Sequence, residues 1–148
     1  MATQQSVVLT TLKEIASKEV DAAAEKLAAA NQLLKDANSK LDMLNEYRGD
    51  YVKKLDGILV SGFSADAYQN YQSFLRKLDQ AILGQQDVVD SSRYQVNAQR
   101  EIWQECQKKK LSYEVLADRS DKRAHQQQLK QDQKMMDEHA MRMNKFNR

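Results

Sequence analysis

The sequence predicts an all-α fold, an antiparallel two-helix coiled-coil hairpin with a longer, overhanging C-terminal helix. Three observations carry this expectation. The 148 residues contain no proline and only 4 glycines, against about 7 and 10 for average usage. Those residues build most tight turns, so sandwiches, barrels and multi-strand α/β folds are excluded. Hydrophobic residues make up 41% of the chain, below the roughly 45–50% apolar usage of a globular domain. A narrow seam fits that content better than a wide core. Finally, two long heptad stripes flank one turn-rich stretch. The length suits a single coiled-coil domain over residues 1–148.

The first helix is expected over about 4–59. One seam position holds Val20, Leu27, Leu34, Leu41 and Leu55. The other holds Ala16, Ala23, Ala30, Ala37, Leu44, Tyr51 and Ile58, and only Arg48 interrupts the pattern. Such spacing places both sets on one stripe of a helix. Alternating Leu with Ala makes the seam thin, so the helices should approach closely.

The turn is expected at about 60–64. Gly57-Ile58-Leu59-Val60-Ser61-Gly62-Phe63-Ser64 concentrates two glycines and two serines. Ser64 can cap the next helix, with Asp66 in its first turn to suit the helix dipole. Gly49 is a weaker candidate for a kink or an early end.

The second helix is expected over about 64–143. Its seam reads Tyr68, Leu75, Ile82, Val89, Val96 and Trp103 at one position. At the other it reads Tyr71, Leu78, Gln85, Ser92, Gln99, Cys106 and Tyr113. Half of that seam is polar from Gln85 onward, which predicts looser packing there. Past Ala117 the stripe fades through Gln126-Gln127-Gln128, then returns as Leu129, Met136, Ala140 and Met143.

Charge and cysteine content narrow the function. The net charge of +2 comes from 23 Lys and Arg against 21 Asp and Glu. That mixture is no nucleic-acid footprint. The stretch from Asp118 onward leans basic, as a solvated helix face often does. The lone Cys106 cannot form an internal disulfide, which suits a reducing cytoplasm. Neither a signal peptide in Met1 to Ser6 nor a spanning apolar segment is expected.

No catalytic constellation is legible, so no enzyme activity, cofactor, metal or small-molecule substrate is expected. His125 and His139 lack the i, i+4 partner of a helical metal site. Cys106 occupies a seam position, where cysteine acts as a small apolar residue. Lys108, Lys109 and Lys110 adjoin it, but no orienting histidine does.

The aromatics are the informative feature. Tyr47, Tyr51, Phe63, Tyr68, Tyr71 and Phe74 crowd the end nearest the turn. Tyr47 and Phe74 sit one residue before a seam position, where a two-helix seam does not require them. Leu44, Tyr47 and Tyr51 form one stripe at helical spacing. Phe74, Leu78 and Ala81 form another. Such stripes either meet a partner or widen the core locally.

Short motifs add a resemblance over most of the chain. Near the N-terminus stands Leu12-Lys13-Glu14-Ile15-Ala16-Ser17-Lys18-Glu19-Val20-Asp21. Leu41-Asp42-Met43-Leu44 follows, with Tyr47 and Tyr51. The second helix carries Asn70-Tyr71-Gln72-Ser73-Phe74 and Leu78-Asp79-Gln80-Ala81-Ile82. The tail carries Asp132-Gln133-Lys134-Met135-Met136-Asp137-Glu138, then Ala140 and Arg142. In this order and spacing the motifs resemble the FliJ family of bacterial flagellar export proteins.

The resemblance implies a cytoplasmic component of the flagellar type III secretion apparatus, peripheral to the inner face of the cell membrane. It implies a stalk-like coiled coil that couples the hexameric export ATPase to the membrane export gate and escorts export chaperones. The family's partner patch carries over to Leu44, Tyr47, Tyr51, Phe74, Leu78 and Ala81. Two family positions, often a polar amide and a His, are here Lys40 and Gln85. The stalk of a virulence type III system and a generic coiled-coil adaptor or chaperone remain the alternatives.

Overall fold

The computed structural model describes residues 4–62 and 64–147. Phe63, grouped above with the aromatics near the turn, lies outside the described residues. Two helices account for the fold, α1 (Gln4–Ser61) and α2 (Ala65–Phe146), of 58 and 82 residues. Among the described residues there is no strand. The two helices pack against each other as a helical hairpin, as the heptads predict.

Contacts divide the chain into two units, residues 23–103 and residues 1–22 with 104–148. Within residues 23–103, every buried hydrophobic is a seam residue. They are Ala23, Ala30, Ala37 and Leu55 on α1, facing Leu75, Leu78, Ile82, Val89 and Val96 on α2. The alanines remove bulk from α1 where α2 supplies leucine, isoleucine and valine. Partners run in opposite directions: Ala37 meets Gln85, Arg48 meets Asp79 and Tyr51 meets Tyr71. That order makes the pair antiparallel.

Within the other unit, Ala16 and Val20 are the buried hydrophobics. Cys106, Lys110, Tyr113, Ala117 and Ser120 are half-buried on α2, continuing the heptad spacing. Lys109 Nζ reaches Glu19 Oε2 at 3.4 Å. From Asp121 to Asn147 every residue is exposed. This is the overhang of α2, and it leaves Leu129, Met136 and Met143 uncovered.

The turn rests on one glycine. Gly62 has φ +79, a left-handed backbone that an L side chain adopts only with strain. The Ser61 hydroxyl donates to the Ile58 carbonyl at 3.0 Å and closes the last turn of α1. Ser64 Oγ accepts from the Ala67 N–H at 3.3 Å, so Ser64 caps α2, and Asp66 follows in the first turn. Gly57 is helical, inside the expected first helix, and α1 continues unbroken through Gly49.

Beyond Gln85 the two seam positions differ. Val89 and Val96 are buried, whereas Ser92 and Gln99 are only half-buried and line a groove. Gln85 itself is buried, and its Nε2 donates to the Ala37 carbonyl at 3.0 Å. That hydrogen bond offsets the desolvation of the amide.

Candidate partner-binding surface

The aromatic cluster lies within residues 23–103. Heptad phase places Tyr51 and Tyr71 on the seam and turns Tyr47 and Phe74 to its flank. Tyr51 stacks between Tyr71 and Phe74, with ring centroids at 4.9 and 4.5 Å. Tyr47 meets Phe74 edge-on at 6.3 Å. Burial among these rings, then the neighbouring Tyr71 and Tyr47, hold the Tyr51 hydroxyl above the ordinary tyrosine value of 10.0.

The six expected patch residues divide into two groups. Leu78 is buried, and Leu44 and Tyr51 are half-buried. They form the floor. Tyr47, Phe74 and Ala81 are exposed. Of the two departing positions, Lys40 is exposed and Gln85 turns inward to Ala37.

Arg48 sets one edge of the cluster. The heptad predicts an apolar residue there. Instead its Nε donates to Asp79 Oδ1 at 2.5 Å, across the two helices. The side chains are 43% and 48% exposed, so the pair is worth at most about 1 kcal/mol and mainly fixes orientation. The signal in the sequence is the one cation that interrupts the α1 seam between Leu41 and Leu55, but its acid cannot be chosen without the register.

Chemistry offers little else. Among the described residues, no group of three or more His, Cys, Asp or Glu side chains is arranged to hold a metal. Cys106 is a free, half-buried thiol. No described helix is long and apolar enough to cross a membrane.

Fold and surface together define an all-α two-helix coiled coil that carries an aromatic cluster on its flank. The chain belongs to the flagellar FliJ protein family, whose model matches residues 5–147. The flagellar FliJ protein of Escherichia coli K12 is 30% identical over 134 residues, covering 90% of this chain and 91% of that one. The flagellar FliJ protein of Salmonella typhi is 31% identical over 138 residues, covering 93% and 94%. Among solved structures, a putative YscO homolog from Chlamydia trachomatis is similar with a TM-score of 0.48 and 14% identity, covering 96% of this chain and 92% of that one.

Proposed function

We propose that this chain is a non-catalytic component of the bacterial flagellar type III export apparatus. In this reading it is a stalk-like coiled coil that couples the export ATPase hexamer to the membrane export gate and escorts export chaperones. The observation that carries the reading is family membership over nearly the whole chain. The relatives are flagellar proteins, which favours the flagellar over the virulence system.

The physical basis is differential contact. A coiled coil seated in a ring touches its subunits unequally and biases their conformations, because a ligand shifts an equilibrium only by its differential affinity. The uncovered α2 segment from Asp121 to Asn147 has no seam partner among the described residues and suits such a seat. Leu44, Tyr47, Tyr51, Phe74, Leu78 and Ala81 then form the docking patch for the gate. The protein works in the cytoplasm, peripherally at the inner face of the membrane.

The test is reconstitution with the export ATPase. The purified chain should bind the ATPase and raise its hydrolysis rate. Absence of both binding and stimulation would reject the stalk role.

A further inference from the structure

The two flanks of the seam within residues 23–103 differ in chemistry. On α1, the residue after each alternate seam position is Ala24, Asn31, Asn38, Asn45 and Val52 in turn. The α2 residues on that same flank are Gln72, Asp79, Gln86, Arg93 and Arg100. This flank is mainly polar, and the Arg48–Asp79 pair closes part of it. The other flank carries Lys26, Leu33, Lys40, Tyr47 and Lys54 on α1, one residue before a seam position. Its α2 counterparts are Phe74, Ala81, Val88, Gln95 and Ile102, spaced by sevens.

Two observations place those residues on one surface. Tyr47 and Phe74 touch across the helices. Farther along, Lys26, Ala29 and Leu33 line a groove of about 410 Å³ with Ser91, Ser92 and Gln95. Gln99 also lines it, and its buried Oε1 has no hydrogen-bond partner. Small residues keep the groove shallow and open, while Leu33, Val88 and Ile102 stand exposed beside it.

The charges on this flank are of one sign. Lys26, Lys40 and Lys54 make no ion pair among the described residues. Nearby Asp36 lies one step farther from the seam and accepts a hydrogen bond from Gln32 at 3.0 Å. Asp50 is likewise one step out and faces the solvent. Lys26 to Lys54 spans four heptads, roughly 42 Å of helix at 1.5 Å per residue.

We propose that this flank is a docking track for one amphipathic helix with acidic edges, laid along residues 26–54 and 74–102. Its apolar face would contact Leu33, Tyr47, Phe74, Ala81, Val88 and Ile102. Carboxylates at heptad spacing would answer the three unpaired lysines. The track contains the exposed part of the proposed docking patch and extends it by about three heptads. It rests on that reading for the identity of the partner that brings the helix.

The test uses the full chain and two synthetic helical peptides of about four heptads each. Both carry a Leu and Ala face, and one has Glu at its edges where the other has Lys. Fluorescence anisotropy should show the Glu peptide binding about tenfold tighter than the Lys peptide, with the preference shrinking as salt rises. The triple variant Lys26→Glu, Lys40→Glu and Lys54→Glu should reverse the preference. Val88→Glu should weaken binding, whereas Arg93→Glu on the other flank should not. All these side chains are exposed, so circular dichroism should report unchanged helicity.

Equal affinity for both peptides, or equal losses from Val88→Glu and Arg93→Glu, would overturn the proposal. So would a dimer in sedimentation that Val88→Glu dissolves, because the occupant would then be a second copy. Val88 lies outside the six-residue patch, which separates the two readings. If Phe74→Ala releases the export gate protein while Val88→Glu affects neither it nor the peptide, the patch stands and the track fails. If the track binds the Glu peptide but the chain neither binds the gate nor stimulates the ATPase, the export reading fails alone.

Discussion

Replacing Gln85 tests how a polar residue is held in so thin a seam. Gln85→Ala removes the bond from Nε2 to the Ala37 carbonyl, 3.0 Å long, worth about 1 kcal/mol net. It also deletes one buried methylene, Cγ, at about 0.8 kcal/mol. The expected loss is roughly 2 kcal/mol, which for a chain of this length lowers Tm by roughly 4–8 °C. Gln85→Leu should behave differently. It keeps the burial and strands no acceptor, because the Ala37 carbonyl retains its helical partner within α1. That variant should lie within about 1 kcal/mol of the parent, or above it. Thermal and urea unfolding followed by circular dichroism at 222 nm would measure both. A loss for Gln85→Leu as large as for Gln85→Ala would refute the reasoning, since the amide itself would then supply the stability.

Further predictions concern backbone and pH. Gly62→Ala should destabilise by about 1 kcal/mol because it forces a side chain into a left-handed backbone. Gly57→Ala should stabilise by up to about 1 kcal/mol, since a Cβ there meets nothing within 4 Å. Chemical denaturation of the two variants would separate them, and equal signs would contradict the placement of the turn. The Tyr51 hydroxyl has a raised pKa in the folded chain, so the native state holds the proton more tightly than the unfolded one. Its contribution is complete below the unfolded value of 10.0 and is lost as pH rises through the folded value. Tm should therefore fall more steeply above pH 10 in the parent than in Tyr51→Phe. Identical profiles would show that the ring cluster does not perturb Tyr51.

Much of this fold was legible because heptad spacing states which residues must be covered. Ala23, Ala30 and Ala37 were read as seam residues, and all are buried. Ser64 was read as a cap from its place before Asp66, and it caps α2. Composition shows that glycine gathers near the turn, but not that Gly62 is the one that takes the positive φ. The bond from Gln85 to Ala37 is not legible in the sequence, because polarity at one position says nothing of the carbonyl opposite. The surface was legible in outline only. Tyr47 and Phe74 stood out by phase, yet the division of the patch into a floor at Leu78 and a face at Tyr47, Phe74 and Ala81 needed the second helix. The same holds for the Lys26 to Lys54 flank, since one strip of helix does not reveal what lies beside it.

That division also decides how the docking patch should be tested. Leu78 is 7% exposed, so Leu78→Ala would cost roughly 2–5 kcal/mol of stability and confuse binding with folding. Tyr47 and Phe74 are 55% and 38% exposed and can be truncated with less damage. The deciding measurement is the affinity of the cytoplasmic part of the membrane export-gate protein for the parent chain and for the double variant Tyr47→Ala, Phe74→Ala, at matched helicity. Docking on this surface predicts at least about a tenfold loss of affinity. An unchanged affinity would contradict it.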